Sequence, residues 1–359
     1  MKFRFKNHAT ILSLLAILVL FGACSRDPKA RRDKFLLSAQ RYYDKGQYEA
    51  ASIELRRAIQ LDPKFAEAHY RLAQTYVNMR DWQRGYDELQ ISLQINPADV
   101  RSRLALAELQ WLAKQPVEAR TQVEIALQSQ PNNITAHLLL GQIYTSEKNY
   151  LKALEEFEAS ERLAPNQAVA FAKAGETYML LRRYSEAQQS FQRAIDLDAS
   201  YITAYLNLAE TYRFANDSQN EIQILLTAIA RNPKQVAPYL AAARAYARTE
   251  HPESIRSLFS QLRSANGADS SSLLAIGDFY FSMGDALEGK TVLREALSKD
   301  GKNSAIRKHL IELELNQHDW DEAEKLNADL LKADPRDPMA RLFQARLQFA
   351  RGAKSSAVT

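Results

Sequence analysis

Few residues of this sequence are arranged in a way that suggests catalysis or metal binding. The chain contains one cysteine, Cys24, and six histidines. No two histidines have a metal-ligand spacing such as H-E-x-x-H, and without a second cysteine a thiolate metal site is not expected. The sequence also lacks a glycine-rich phosphate loop and a G-x-S-x-G nucleophile turn. We therefore expect no enzymatic activity, no metal and no bound cofactor.

The single cysteine directly follows an export-type segment. Residues 1–6 carry three basic side chains and no acidic one, and residues 9–23 are almost entirely apolar. As a helix this apolar run would rise only about 22 Å, which is short of the roughly 30 Å hydrocarbon core of a bilayer. The segment therefore predicts a signal peptide over residues 1–23 rather than a permanent membrane span.

The end of this segment, Leu20–Cys24, resembles the lipobox of bacterial lipoproteins, with small residues at Gly22 and Ala23. Phe21 departs from that pattern, which usually has a smaller aliphatic residue there. The resemblance implies that Cys24 is lipidated and becomes the first residue of the mature chain. Two or more acyl chains would give a stable membrane anchor. The alternative is an ordinary signal peptide with an incidental cysteine.

The residue after the cysteine is Ser25. In Gram-negative lipoproteins an aspartate there is the usual signal for retention in the inner membrane. The resemblance therefore implies the outer membrane, with the protein facing the periplasm. We predict that residues 24–31 are the lipidated cysteine and a short solvated tether.

The charge of the chain gives no reason to expect nucleic-acid binding. The whole sequence has 47 basic and 43 acidic side chains. Loss of residues 1–23, which carry three basic side chains, would leave 44 basic side chains against the same 43. A nearly neutral mature chain lacks the basic surface that phosphate backbones require.

A 34-residue period runs through the rest of the chain. It is visible in the prolines, which recur in one register at Pro63, Pro97, Pro131, Pro165, Pro233 and Pro335. Numbering each unit from 1, with the first unit at Arg32–Phe65, places a small residue at position 8 in all units but the last, where Ile311 stands. Position 11 is tyrosine except at Gln110 and Glu314. No insertion or deletion breaks the register.

This pattern resembles the tetratricopeptide repeat, a helix–turn–helix unit. The resemblance implies an all-α fold, a right-handed solenoid of nine repeats over residues 32–337. Each repeat buries one face on its neighbour, because a single unit cannot bury its apolar surface alone. Residues 338–359 continue the register as a capping helix and a polar tail; alternatively, the natural chain is longer.

In this family the first helices of the repeats line a concave face with positions 2, 5, 9, 12 and 13. Position 5 is mainly apolar here, and position 9 is mainly amide or carboxylate. A groove of that kind suits an extended or helical peptide segment. The alternative is that position 9 is merely solvated. The predicted groove residues are Tyr43, Gln74, Glu108, Trp111, Gln142, Glu176, Glu210, Arg213 and Phe214.

Together these features predict a lipid-anchored scaffold that faces the periplasm and holds another envelope protein or peptide in its groove. Similar lipoproteins serve type IV pilus assembly, outer-membrane protein insertion and exopolysaccharide export, and some accompany exosortase systems. Two alternatives remain open. One is a glycan-binding module that uses Tyr43, Trp111, Phe214 and Phe281. The other is a regulatory subunit of an envelope glycosyltransferase or peptidoglycan enzyme.

Repeats seven and eight have Gly267 and Gly301 in the slot that elsewhere holds proline. Glycine can end a helix but does not stiffen the chain as proline does. We therefore predict that amide hydrogens exchange fastest around residues 249–303. Uniform hydrogen-exchange protection across the nine repeats would contradict this.

Overall fold

A computed structural model describes residues 27–352. Over this range the structure consists of nineteen α-helices and contains no strand, as the repeat pattern predicts. The helices are α1 (Pro28–Asp44), α2 (Tyr48–Leu61), α3 (Ala66–Asn78), α4 (Trp82–Ile95), α5 (Val100–Leu112), α6 (Pro116–Ser129), α7 (Ile134–Ser146), α8 (Tyr150–Leu163), α9 (Ala168–Leu180), α10 (Tyr184–Leu197), α11 (Ile202–Phe214), α12 (Ser218–Arg231), α13 (Val236–Arg248), α14 (Pro252–Asn266), α15 (Ser270–Ser282), α16 (Ala286–Lys299), α17 (Ser304–Asn316), α18 (Trp320–Ala333) and α19 (Pro338–Ala350).

The helices belong to two compact units, Met1–Thr177 and Tyr178–Thr359, which we call the N-terminal and C-terminal units. The boundary between them falls within α9. From α1 to α18 each odd-numbered helix is followed along the chain by an even-numbered one after a three-residue turn, which gives the helix–turn–helix repeat, and α19 follows the last pair. The even 34-residue period contains no signal for this division.

The structure tests only part of what the sequence predicts for the N-terminus. The predicted signal peptide and Cys24 lie outside the described residues. The predicted tether over residues 24–31 is too long, because α1 already begins at Pro28. The side chain of Asp27 accepts a hydrogen bond from the backbone N–H of Lys29 at 2.9 Å, and proline is favoured in the first turn of a helix. In the part of the chain that the structure describes, none of the helices has the length and apolar character needed to cross a bilayer.

The two helices of a repeat approach closely where position 8 meets the second helix. A Cβ added to Gly141 would lie 2.5 Å from the ring of Phe157, so only glycine fits there. The alanines at the same position are also fully or almost fully buried, for example Ala73 and Ala107. The small residues therefore set the distance between the paired helices.

Three residues that break the repeat pattern are buried charged or polar groups. Glu221 and Glu314 are 5% and 0% exposed, and Gln110 is 6% exposed. Glu221 accepts a hydrogen bond from Arg248, and Glu314 from Lys290. Because each buried carboxylate has a cationic partner, the departures from the pattern are accommodated without leaving an unpaired charge.

The turns between repeats in the N-terminal unit are tied down by position 4. This side chain contacts both the backbone carbonyl at position 32 of the preceding repeat and the side chain at position 23 of its own second helix. The residues at position 4 are His69, Arg103 and His137; their carbonyl partners are Pro63, Pro97 and Pro131, and their side-chain partners are Glu88, Gln122 and Glu156.

Both ring nitrogens of His69 therefore face hydrogen-bond acceptors. Nδ1 lies 2.6 Å from a carboxylate oxygen of Glu88, and Nε2 lies 3.2 Å from the Pro63 carbonyl oxygen. Only the protonated ring donates from both nitrogens. Burial lowers the pKa of His69, but the hydrogen bonds to Glu88 and Pro63 outweigh it, so the net pKa is raised above the ordinary 6.5.

A raised histidine pKa stabilises the folded state below about pH 6.5, and this stabilisation is lost as the pH rises through the folded-state pKa. We therefore expect the free energy of unfolding of the N-terminal unit to fall from about pH 6 to about pH 8. Glu161, whose pKa burial and the nearby Glu158 raise to about 7, titrates in the same range. The free energy of unfolding is measured by urea titration at each pH. The Glu161→Gln substitution is present in every protein compared, so that titration of Glu161 does not contribute to the pH dependence.

The matched control is His69→Arg, because Arg103 shows that a guanidinium fits the same position. This variant should show a smaller pH dependence, since arginine stays protonated throughout. An undiminished pH dependence in His69→Arg, or an NMR titration giving His69 a pKa below 6.5, would contradict the assignment.

Candidate functional site

The N-terminal unit contains an open cavity of about 740 Å³ across the first helices of repeats two, three and four, α3, α5 and α7. Position 5 of each helix supplies an apolar or aromatic surface, and position 9 supplies an amide or carboxylate. These lining residues are Tyr70, Leu104 and Leu138 at position 5, and Gln74, Glu108 and Gln142 at position 9. We call this the N-terminal groove.

The helices present these side chains together because positions 5 and 9 are four residues apart, and such residues share one face of a helix. Position 8 points instead toward the second helix, as the complete burial of Ala107 next to Glu108 shows. α5 and α7 start at the groove. Asp99 accepts from the backbone N–H of Arg101, and Asn133 from that of Ala136.

One wall of the groove is held by Arg101. Its guanidinium donates to Glu67 at 2.7 Å and lies 3.3 Å from Asp99, with its carbon 4.8 Å from the ring centre of Tyr70. Burial raises the pKa of Tyr70, and its hydroxyl accepts from Gln74 Nε2 at 2.8 Å. Arg101 is therefore a neutralised part of the wall and offers no free positive charge.

Glu108 is different. Its side chain is exposed and lines the groove, yet it makes no hydrogen bond or ion pair with any residue in the described range 27–352. The other charged residues of the lining, Asp99 and Arg101, are paired with each other and with neighbours. The N-terminal groove thus combines an apolar floor, amide groups and one unneutralised carboxylate. Such a surface can bind a peptide but has no arrangement for covalent chemistry.

Of the other predicted groove residues in this unit, Tyr43 and Trp111 have protein partners. Tyr43 borders a smaller cavity of about 110 Å³, and its hydroxyl accepts from Asn78 at 2.8 Å. The indole N–H of Trp111 donates to Ser146 Oγ at 3.3 Å. Neither residue lines the N-terminal groove. Glu176 is also outside its lining and pairs with Lys173 at 2.7 Å.

The remaining three predicted residues form one cluster in the C-terminal unit. Arg213 donates to Glu210 at 2.8 Å and lies over the ring of Phe214, 4.5 Å from its centre. That ring stacks on Tyr184 with the centres 5.6 Å apart. Of the four aromatic residues predicted for glycan stacking, Tyr43 and Trp111 have separate surroundings within the N-terminal unit. Phe214 and Phe281 belong to the C-terminal unit.

Several lining residues were not predicted. Ala105 and Leu139 at position 6 line the N-terminal groove, as do Asn96 and Gln130 in the turns before α5 and α7. The repeat pattern shows which face of each first helix lines the groove, but it does not show how far apart neighbouring first helices lie. For this reason the sequence does not show that residues of the turns reach the groove. Among residues 27–352, no group of three or more His, Cys, Asp or Glu side chains could hold a metal ion.

Four family profiles match the chain, over five segments. A profile described as TPR repeat matches residues 39–79. Profiles described as tetratricopeptide repeat match residues 104–168, residues 168–201 and 202–235, and residues 280–347. The matches to residues 168–201 and 202–235 coincide with two units of the 34-residue register. The matches to residues 39–79 and 104–168 include α3, α7 and most of α5. No curated protein matches the chain at a significant level.

Solved structures share the fold. One described as the functional characterisation of Pseudomonas aeruginosa pilF aligns with a TM-score of 0.53 and 21% identity, covering 62% of this chain and 100% of that one. PilW, described as a widely conserved type IV pilus biogenesis factor, aligns with a TM-score of 0.49 and 16% identity, covering 55% and 92%. YrrB, described as having an unusual peptide-binding site, aligns with a TM-score of 0.43 and 22% identity, covering 51% and 94%.

Proposed function

The chain belongs to the tetratricopeptide-repeat family, and from that premise we propose that it is a lipid-anchored scaffold facing the periplasm. Its N-terminal groove would hold a segment of another envelope protein during assembly or export of a surface structure. Tetratricopeptide repeats serve as protein-interaction modules, so the general role follows from the family. The anchor, the compartment and the kind of partner are our proposal.

The observation that carries the binding role is the N-terminal groove itself. Its volume of about 740 Å³ is spread over three successive first helices, so that an elongated ligand fits it better than a compact one. The side chains of Glu108 and Gln142 have no partner among residues 27–352. Their polar groups are therefore free to bond the backbone or side chains of a bound segment.

The anchor is supported by the sequence before α1. Only residues 25–27 separate Cys24 from the start of the helix at Pro28. Three residues span about 10 Å at most. Acyl chains on Cys24 would thus hold the first repeat close to the bilayer surface, with Lys29, Arg31 and Lys34 exposed on it. Opposite charges would attract this helix to anionic lipid headgroups.

Replacing Cys24 with serine tests the anchor. We expect Cys24→Ser to lose the acyl groups detected on the N-terminal peptide by mass spectrometry, and to be absent from the outer-membrane fraction. The matched control, Ser25→Asp, should keep the acyl groups and move to the inner-membrane fraction. A Cys24→Ser protein that is cleaved after Ala23 and fractionates like the wild type would rule out the lipid anchor.

Crosslinking in living cells tests the groove. A photoreactive amino acid at Gln142 should join the protein to a defined envelope protein after illumination. The same substitution at Gln128, an exposed glutamine on α6 outside the groove lining, should not. Equal crosslinking from both positions, or none from Gln142, would show that the groove is not the binding surface.

A further inference from the structure

We infer that the segment held in the N-terminal groove carries a lysine or arginine that pairs with Glu108. This inference rests on the proposed peptide-binding function and specifies the chemistry of the ligand. The evidence for it is a comparison of the acidic residues at position 9: some have a cationic or ionisable partner within the protein, whereas Glu108 has none among residues 27–352.

Four other repeats have an acidic residue at position 9, and three of these residues pair with a cationic or ionisable side chain, each in a different way. The fourth, Glu312, makes no such pair among residues 27–352. Glu176 pairs with Lys173, three residues earlier on the same helix, at 2.7 Å. Glu210 pairs with Arg213, three residues later, at 2.8 Å. Asp278 lies 2.6 Å from the ring nitrogen of His309, at position 6 of the following repeat.

At Glu108 all three of these places are apolar. The residue three before it is Ala105, the residue three after it is Trp111, and position 6 of the next repeat is Leu139. Ala105 and Leu139 also line the groove. The repeat register therefore gives Glu108 the same place as the paired carboxylates but none of their partners. A basic side chain of a bound ligand can therefore supply the cation that the protein itself supplies to those three carboxylates.

The surroundings of Glu108 fit the shape of a long basic side chain. Lysine and arginine place their methylene groups on apolar surface while the charged end reaches a polar partner. Leu104 and Leu139, which are 9% and 8% exposed, can contact the methylene groups. The carboxylate of Glu108 then accepts the charge-assisted hydrogen bonds, which are stronger than those between neutral groups. An acidic side chain in the same place would be repelled.

The neighbouring helices give the expected spacing of the ligand. Packed helices are on the order of 10 Å apart, and an extended peptide advances about 3.3 Å per residue. A peptide that crosses the three helices therefore meets successive ones at about every third residue. With the basic residue at Glu108, apolar residues about three places away on either side would face Tyr70 and Leu138.

The test is a synthetic library of nonapeptides, randomised at every position and selected on the purified chain. We expect lysine or arginine to be enriched over aspartate and glutamate by about tenfold at one position, a size typical of a single charge-assisted contact. In Glu108→Gln, which is isosteric, this enrichment should disappear, and in Glu108→Lys it should reverse toward acidic residues. Binding of the selected peptide should weaken as the salt concentration rises from about 0.05 M to about 0.5 M.

Glu118→Gln is the control, since it removes the same charge from an exposed site on α6 outside the groove lining. The Glu118→Gln protein should select the same peptides from the library as the wild-type protein. All variants should keep the helical circular dichroism and melting temperature of the wild type, because the side chains of Glu108 and Glu118 make no hydrogen bond or ion pair with any residue between 27 and 352. Selection of apolar peptides without a basic preference, or a basic preference that persists in Glu108→Gln, overturns the inference and leaves the peptide-binding function standing. Failure to enrich any peptide overturns both.

Discussion

The close contact between the two helices of each repeat is the constraint on which the rest of the structure depends. In the first eight repeats position 8 is glycine or alanine, and only Ile311 in the ninth is larger. In repeat four a Cβ on Gly141 would lie 2.5 Å from the ring of Phe157. This contact fixes the rotation of α7, so that the next residue, Gln142, faces the groove. Ala73 and Ala107 fix the rotation of α3 and α5 in the same way and thereby place Gln74 and Glu108.

A second layer of contacts holds the turns between repeats. In the N-terminal unit the position 4 side chain bonds a carbonyl in the turn and a side chain on the second helix, whether it is a histidine or an arginine. His69 and Arg103 make equivalent bonds with different chemistry. The turn is thus held by any position 4 side chain that is long enough to donate to both partners. Histidine makes the contact dependent on pH, whereas arginine, which stays protonated, does not.

The sequence period predicts the helices, their pairing and the face that lines the groove, because each follows from spacing along the chain. It does not predict the division at Thr177, since no proline or insertion marks it and Gly175 is the same small position 8 residue that other repeats have. It also placed the start of α1 too late, although Asp27 and Pro28 are a recognisable helix start. Burial of Glu221 and Glu314 could not be foreseen without knowing which cations the neighbouring helices bring to them.

The candidate site was predictable only in part for the same reason. Gln74, Glu108 and Gln142 share a cavity because they occupy one position in adjacent repeats. Tyr43, Trp111 and Glu176 occupy predicted positions as well, but they contact other protein groups and do not line that cavity. The position in the repeat determines which way a side chain points. Its neighbours determine whether it remains free for a ligand.

In the function proposed for this protein, α3, α5 and α7 together form the binding surface, and Glu108 is its charged centre. The most direct measurement is hydrogen exchange on the full chain with and without a saturating peptide that has a central lysine flanked by apolar residues. We expect slower exchange confined to α3, α5, α7 and the turns that precede α5 and α7, and no such change in Glu108→Lys. Slower exchange in the second helices α4, α6 and α8 instead, or in the C-terminal unit, would contradict it.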